Sequence, residues 1–118
     1  MRFLSMIRID EKTAKAPTER LMADMGILME EMTQAGVLIE TAGLRPTSEG
    51  VRVRLRGGKL STIDGPFTEA KEVIGGYALV EVGSKEEAMK VARQFMELHR
   101  VHRPDFECEC EVRPLEDM

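Results

Sequence analysis

The sequence has few of the features that mark secreted or membrane-bound proteins. Only two of its 118 residues are cysteine, Cys108 and Cys110, and with one residue between them they are too close for an ordinary disulfide that closes a loop. No apolar run approaches membrane-spanning length, and the N-terminal segment MRFLSMIRID is interrupted by charges where a signal peptide needs a continuous apolar segment. We therefore expect reduced thiols, a cytoplasmic location and no membrane partner.

Concentrated positive charge is also missing. The formal net charge is -4, and the 17 lysine and arginine residues are scattered along the chain, which argues against a phosphate-binding surface. The sequence contains no phosphate-binding loop, no dinucleotide fingerprint and no serine-nucleophile motif. We therefore expect no nucleic-acid partner and no cofactor.

Enough apolar material for one core is present, since hydrophobic residues make up 42% of the chain. We expect one domain over residues 1–118. Period-two alternation predicts strands and helical spacing predicts helices. The predicted elements are a strand over 2–9, a helix over 18–35, a strand over 37–44, a hairpin over 51–64, a strand over 73–82, a helix from 85 to near 99 and a strand over 106–113.

Glycine pairs mark two special positions in the predicted strands. Gly57 and Gly58 form a favoured hairpin turn, and counting outward from them places Leu55 opposite Leu60 and Asp64 on the apolar side of the hairpin. The other side carries a basic row, Arg52, Arg54 and Arg56, which either holds an anion or forms a solvated, ion-paired face. Gly75 and Gly76 favour a bulge or a close approach by another backbone.

The order of these elements predicts an α+β fold, a ferredoxin-like split β-α-β sandwich with an inserted β-hairpin. Two helices cover one face of the sheet. The other face, which we expect to carry Leu4, Met6 and Val80, stays exposed unless a second copy covers it. We therefore expect a homodimer through the sheet faces.

The last predicted strand alternates between two kinds of side chain. Phe106, Cys108, Cys110 and Val112 share one side, and we interpret the cysteines as buried small apolar groups rather than metal ligands. Three carboxylates, Glu107, Glu109 and Glu111, share the other side and need water, cations or arginines to face them. Arg8 or the basic row would supply that charge, and the carboxylates face either solvent or the dimer interior.

The segment from Asp64 to Tyr77, DGPFTEAKEVIGGY, together with VRVRLRGGKLSTI before it and CEVRP near the end, resembles the YCII-related, or DGPF, domain family over almost the whole chain. The resemblance implies a ferredoxin-like fold joined into a dimeric α/β barrel. Some members of that family are small-molecule enzymes with a His-Asp pair whose histidine lies early, near the first helix, and others are linked to sigma-factor-related proteins. The histidines of this sequence, His99 and His102, follow the second helix, where we expect solvated helix-end side chains.

Two interpretations of the DGPF segment stay open. In the structural one, Asp64 accepts backbone N–H bonds in an Asx-type turn, Gly65 and Pro66 set the backbone dihedrals, and Phe67 plugs the sheet edge. In the functional one, Asp64 ends a strand on the apolar side of a pocket, where it transfers protons. The ligand-binding residues around it are then Pro66, Phe67, Glu72 and Tyr77.

Two functions follow from these interpretations. The first is a dimeric small-molecule-binding protein with a pocket near the DGPF turn and weak acid-base or lyase-like chemistry through Asp64. The second is a non-catalytic regulatory or protein-interaction module, linked to sigma-factor-dependent transcription, in which the DGPF segment is structural. We expect no metal in either case.

Overall fold

The computed structural model of the protein describes residues 1–116. Its strands and helices, in chain order, are β1 (Arg2–Ile9), α1 (Glu19–Gln34), β2 (Leu38–Gly43), β3 (Val51–Arg56), β4 (Lys59–Asp64), β5 (Val73–Glu81), α2 (Lys85–His102) and β6 (Glu109–Pro114). A short 3-10 helix, Thr47–Glu49, precedes β3. No helix in this described part of the chain is long and apolar enough to cross a membrane.

The main sheet has four antiparallel strands in the order β2-β5-β1-β6. β3 and β4 form a separate two-stranded sheet between β2 and β5 in the chain. The α+β class with two helices and antiparallel sheets is confirmed, and the strand order agrees with the predicted ferredoxin-like plan. Across residues 1–116 the sheets do not close into a barrel, so the dimeric barrel stays a prediction.

Side-chain caps begin both helices. Leu21 N–H donates to Thr18 Oγ1 at 3.1 Å at the start of α1, and Glu87 N–H donates to Ser84 Oγ at 3.2 Å at the start of α2. The helix α2 continues to His102 rather than ending near His99, because Pro104 is the first residue that disfavours it. β6 begins at Glu109 rather than at position 106, because Phe106 N–H donates to Arg103 O in the preceding turn.

The core lies between the main sheet and the helices. Phe3 on β1 and Val80 on β5 are directly paired and almost fully buried. The expectation that Val80 lies on the uncovered face is therefore wrong, because paired residues project to the same side and Phe3 faces the helices. Leu4 and Met6 do lie on the uncovered side, which we call the open face; it also carries Arg8, Tyr77, Leu79, Glu109 and Glu111.

The glycine pair in β5 produces the predicted irregularity. The pairing with β1 shifts between Ile7, which faces Gly76, and Arg8, which faces Ile74, so Gly75 is the extra residue of a bulge. A Cβ atom on Gly75 would lie 2.8 Å from Ile9 Cδ1. The Ile9 side chain, at the end of β1, therefore approaches the backbone of Gly75 closely, as expected from the sequence.

The hairpin of residues 51–64, which we call the arm, has the predicted register. Leu55 faces Leu60 and Val51 faces Asp64, while Gly57 and Gly58 adopt φ angles of 56° and 75°, as a turn of this type requires. The apolar side of the arm is not part of a core. Its exposed fractions are 55% for Val51, 68% for Val53, 68% for Leu55 and 73% for Leu60.

The DGPF turn connects the base of the arm to the main sheet. Gly65 N–H donates to Gly50 O at 3.0 Å, and Phe67 N–H donates to Thr47 Oγ1 at 3.3 Å. Thr47 in turn donates its N–H and its hydroxyl to the Glu11 carboxylate at 2.7 and 2.5 Å. A Cβ atom on Gly65 would lie 1.7 Å from Thr47 O, so only glycine fits this contact.

We predict that Gly65→Ala lowers the free energy of unfolding by about 3 kcal/mol or more, because the backbone of the turn or of Thr47 must move. The matched control is Gly26→Ala on α1, where nothing lies within 4 Å of an added Cβ and alanine should stabilise the helix by about 0.5–1 kcal/mol. Urea denaturation measures both. A Gly65→Ala variant as stable as the wild type would contradict the close approach.

Candidate functional site

The predicted site residues do not form one pocket. Asp64 lies exposed at the end of β4, without the burial on which its proposed proton transfer depended. No Asx-type hydrogen bond joins its carboxylate to the backbone within residues 1–116; Asp10 makes such a bond instead, accepting from Lys12 N–H at 2.9 Å. Pro66 lines a small recess of about 130 Å³ against the loop after β1. A catalytic role for Asp64 stays a prediction.

Phe67 and Glu72 lie on a shallow groove at the edge of the open face. Phe67 is buried, and the Arg52 guanidinium carbon lies 3.9 Å above its ring centroid. Arg8, on the same groove, pairs with Glu111 at 3.3 Å. This pair confirms that Arg8 faces the acidic side of the last strand. Arg52 pairs with Glu69 at 3.0 Å, so at least one member of the basic row is ion-paired.

Tyr77 projects from the open face and donates its hydroxyl to Glu40 Oε1 at 3.1 Å. This hydrogen bond raises the pKa of Tyr77 above its ordinary value, and partial burial and the negative charge of Glu40 act in the same direction.

We predict that Tyr77 ionises at higher pH than a free tyrosine and that Glu40→Gln lowers its pKa toward the ordinary value, because the carboxylate charge is removed. The chain has one tyrosine and no tryptophan, so an ultraviolet absorbance titration of phenolate reports on this side chain alone. Glu81→Gln, a carboxylate paired instead with Arg2, is the control. An unchanged titration in Glu40→Gln would show that this hydrogen bond is absent in solution.

A cavity of about 320 Å³ lies between the main sheet and the two helices, and we call it the inner cavity. The bulge in β5 and the edge strand β2 line the sheet side of this cavity, and methionines of α1 line the opposite side. The last turns of α2 and the segment before β6 close its sides. Its principal lining residues are Ser5, Ile7, Met22, Met25, Met29, Gly75, Gly76, Phe95, His99, Phe106 and Cys110.

The inner cavity joins only part of the predicted motif. Gly75 and Gly76 line it together with Tyr77, although the Tyr77 side chain projects to the open face; Asp64, Pro66, Phe67 and Glu72 do not line it. The sequence therefore located one wall of this cavity through its Gly-Gly-Tyr step and missed the rest.

His99 contributes an oriented imidazole to the inner cavity. Its Nδ1 atom lies 2.9 Å from Phe95 O, and because a carbonyl only accepts, Nδ1 carries the hydrogen. In the neutral ring, Nε2 is then left as a proton acceptor. The ring is half-buried and stacks on Phe106 with centroids 6.3 Å apart. The expectation of a solvated helix-end histidine is wrong here, because the turn after α2 folds back over it.

Ser5 contributes a buried hydroxyl. The residue is 7% exposed, and its Oγ atom has no hydrogen-bond partner of ordinary geometry among the described residues. Cys110, which pairs with Ile7 from the neighbouring strand β6, also lines the cavity. Burial raises the pKa of the Cys110 thiol, the Cys108 thiol raises it further, and the Ser5 hydroxyl partly lowers it. The Ser5 hydroxyl thus lowers the pKa of this thiol, although it makes no hydrogen bond of ordinary geometry within residues 1–116.

Two cations mark one side of the inner cavity. Arg103 donates to Lys15 O at 2.5 Å, and its guanidinium carbon lies 3.9 Å above the Phe106 ring centroid. Lys15 and Arg103 also line a neighbouring surface depression. Positive charge therefore lies where the cavity meets the surface, and apolar side chains dominate farther in.

His102 has a different environment. Its Nε2 atom lies 2.7 Å from Asp24 Oδ2 on α1, and its side chain is 16% exposed. The expectation of a solvated side chain is also wrong for this residue. Asp24 and His102 are 78 positions apart, so no local pattern could have predicted the pair. It joins α1 to the end of α2 and does not line the inner cavity.

Cys108 and Cys110 are both free thiols of intermediate exposure. Burial is the main cause that raises the pKa of each. Within residues 1–116, no group of three or more histidine, cysteine or acidic side chains could hold a metal ion.

Two sequence comparisons relate the chain to known proteins. A family model described as YCII-related domain matches residues 1–97. An uncharacterised protein of Rhizobium meliloti (strain 1021) is 35% identical over 80 residues, which is 68% of this chain and 64% of that protein. The chain thus covers less than two thirds of the curated relative's length. His99, Arg103 and Cys110 lie beyond the residues that the family model matches, whereas Ser5 and Gly75–Tyr77 lie within them.

Proposed function

The chain belongs to the YCII-related domain family, and from this premise we propose that it binds a small organic acid in the inner cavity. The proposal retains the small-molecule binding expected from the sequence. It moves the ligand from the Asp64 end of the DGPF segment to the Gly75–Tyr77 end, which lines the cavity.

The buried Ser5 hydroxyl is the observation that carries the proposal. Leaving a buried polar group without a hydrogen bond costs about 1–3 kcal/mol, and such groups in native proteins are usually satisfied by water or a ligand. Ser5 is the one buried polar residue of the described chain and lines the cavity wall. A ligand oxygen bonded to Ser5 Oγ would remove that cost.

The size and polarity of the cavity indicate the class of ligand. A cavity of about 150 Å³ holds benzene, so one of about 320 Å³ accommodates a single substituted ring or a branched chain of similar size. Methionine and phenylalanine side chains suit an apolar body. Lys15 and Arg103 suit a carboxylate at the surface end, and Ser5 suits a hydroxyl or carbonyl oxygen at the inner end. Phenolic and keto carboxylic acids combine these groups.

His99 adds acid-base capability to this site. Because Nδ1 donates to Phe95 O, Nε2 of the neutral ring can accept a proton from a bound hydroxyl or activated carbon and return it. Chemistry of the acid-base or elimination type would therefore use His99 rather than Asp64. This chemistry further requires only a ligand whose acidic hydrogen lies within reach of His99 Nε2.

We predict opposite effects of Ser5→Ala on stability and on binding. Removing an unsatisfied buried hydroxyl should raise the free energy of unfolding by up to about 1 kcal/mol, while binding of the ligand weakens because its hydrogen bond is lost. Thermal-shift measurements with a panel of aromatic and keto acids, phenols and matched neutral amides test this. Acids that raise the melting temperature of the wild type should have a smaller effect in Ser5→Ala.

Asp64→Asn is the matched control for the site. It should keep the wild-type response to every acid, because Asp64 does not line the cavity. If the response vanishes in Asp64→Asn and survives in Ser5→Ala, the ligand lies at the DGPF turn and our assignment is wrong. A panel without any stabilising compound, repeated at millimolar concentration, would remove the support for small-molecule binding.

We predict that a bound acid protects Cys110 from alkylation and leaves Cys108 unprotected, since Cys110 alone of the two lines the cavity. Single-thiol variants, Cys108→Ser and Cys110→Ser, allow each rate to be followed by mass spectrometry. Without ligand both thiols should react more slowly than free cysteine at neutral pH, because burial raises the pKa of each. Equal protection of both thiols would contradict a ligand in the cavity.

We also propose that the protein is a homodimer joined through the open face. Leu4, Met6 and Leu79 give this face an apolar centre that the helices leave uncovered.

A second candidate function, a non-catalytic protein-interaction module, is favoured by the exposed apolar side of the arm. The absence of ligand effects combined with a stable protein complex would support that alternative.

A further inference from the structure

Cys110 places a thiol in the wall of the inner cavity, next to Ser5. On β1 and β6, Ile7 pairs with Cys110 and Ser5 pairs with Val112, so these side chains project to the same side of the sheet as Phe3, toward the helices. Ser5 and Cys110 are therefore diagonal neighbours on adjacent strands, a relation in which Cα atoms are typically about 7–8 Å apart. Both residues line the cavity.

The Ser5 hydroxyl beside this thiol is available to a ligand. Ser5 is 7% exposed, and its Oγ atom makes no hydrogen bond of ordinary geometry within residues 1–116. A hydroxyl donates one hydrogen bond, and a carbonyl oxygen of a bound molecule is a suitable acceptor. A ligand held in this way has the carbon atoms nearest its carbonyl group beside the Cys110 sulfur.

His99 supplies a proton acceptor to the same cavity. The helix α2 contacts β6, and the His99 ring stacks on Phe106 in the segment that leads into β6. Because Nδ1 donates to Phe95 O, Nε2 of the neutral ring accepts a proton. The cavity therefore combines a thiol, a base and a hydroxyl donor, which are the groups that a thiol nucleophile needs for addition to a carbonyl compound.

The surroundings of Cys110 disfavour reaction with unbound reagents. Burial raises the pKa of its thiol, so little thiolate is present at neutral pH, and the thiolate is the reactive form. Fast reaction at Cys110 then requires a molecule that is held in the cavity and a base that takes the thiol proton. Selectivity for a bound ligand follows from this requirement.

We propose that Cys110 forms a covalent bond with an α,β-unsaturated keto acid held in the inner cavity. The inference rests on the acid binding of the proposed function and names a narrower class of ligand. The carboxylate of the ligand lies toward Lys15 and Arg103, and its ketone oxygen accepts a hydrogen bond from Ser5 Oγ. The carbon–carbon double bond lies between these two groups, beside the Cys110 sulfur.

The addition needs no oxidant or reductant. The S–H bond of Cys110 breaks and its proton moves to His99 Nε2, while the sulfur electron pair forms a bond to the alkene carbon next to the carboxylate. The electron pair of the double bond moves to the ketone oxygen, which becomes an enolate bound by the Ser5 hydroxyl. His99 then returns the proton to the carbon next to the ketone. The product is a saturated thioether that contains every atom of the acid and of the thiol.

A pair of acids separates binding from covalent addition. The reactive probe is trans-benzoylacrylic acid, which has a ring, a ketone, a conjugated double bond and a carboxylate. Its saturated analogue, benzoylpropionic acid, has the same polar groups but no double bond, so it binds without reacting. Both acids match the proposed cavity ligand, and thermal shift with the saturated acid measures binding alone.

We predict that benzoylacrylic acid adds to Cys110 with a rate that saturates as its concentration rises. The variant Cys108→Ser keeps only the Cys110 thiol, and the matched control Cys110→Ser keeps only Cys108. Mass spectrometry should show a gain of the whole acid. Each rate is divided by the rate of the same thiol with iodoacetamide, which corrects for intrinsic reactivity. This ratio should be at least about tenfold larger for Cys110, because the cavity holds the double bond beside its sulfur.

Ser5→Ala, introduced together with Cys108→Ser, tests the hydroxyl. Its limiting rate of addition should fall by at least about tenfold, because the enolate oxygen loses its donor. Alkylation of Cys110 by iodoacetamide should change far less, since that reaction forms no enolate. Circular dichroism and melting temperature verify that the variant folds. An equal loss in both reactions would show that the hydroxyl affects only the thiol and would overturn its role in the addition.

The outcomes separate the covalent step from acid binding. Stabilisation by benzoylpropionic acid without an adduct on Cys110 from benzoylacrylic acid would reject the covalent step and leave acid binding standing. Adducts that form at similar, unsaturable rates on both thiols would also reject it. A protein that neither acid stabilises and that forms no adduct would reject both proposals. Saturable addition to Cys110, slowed by the saturated acid and by Ser5→Ala, supports both.

Discussion

The antiparallel pairing of β1 with β5 is the constraint on which the rest of the structure depends. Because side chains alternate along a strand, this register sends Phe3 and Val80 into the core together and leaves Leu4 and Met6 outside. Ser5 follows Phe3 into the interior for the same reason. The bulge at Gly75 then changes the register near the end of β1, where the inner cavity begins. One pairing thus creates the core, the open face and the floor of the proposed site.

The DGPF turn connects separate parts of the fold through hydrogen bonds. Glu11 follows β1, Thr47 precedes the arm, and Phe67 precedes β5, yet a short series of hydrogen bonds connects all three. The contact leaves no room for a side chain at Gly65. This geometry gives the motif a structural role independent of any chemistry by Asp64. It also holds the base of the arm near the edge of the open face, where Arg52 packs over Phe67.

More of the fold than of the candidate site could be predicted from the sequence. Strand alternation, the Gly57–Gly58 turn and the helix caps are local signals, and each predicted its element because neighbouring residues decide the outcome. The site depends on residues that are distant in the chain. Ser5, Met25, His99 and Cys110 meet only after both helices pack on the sheet. His99 was noted in the sequence, but its role depends on Phe95 O and on the Phe106 ring folding over it.

The amino-acid sequence by itself determined the α+β order, the register of the arm, the bulge-forming glycines and the separation of apolar from acidic side chains on the last strand. These follow from backbone conformational preferences and from the period of two in a strand. Only the tertiary structure decided that Val80 faces the helices, that Asp64 is exposed, that Asp24 meets His102 and that Ser5 is buried without a hydrogen-bond partner among residues 1–116. Such properties depend on which distant surfaces come together, and no short-range pattern encodes that choice.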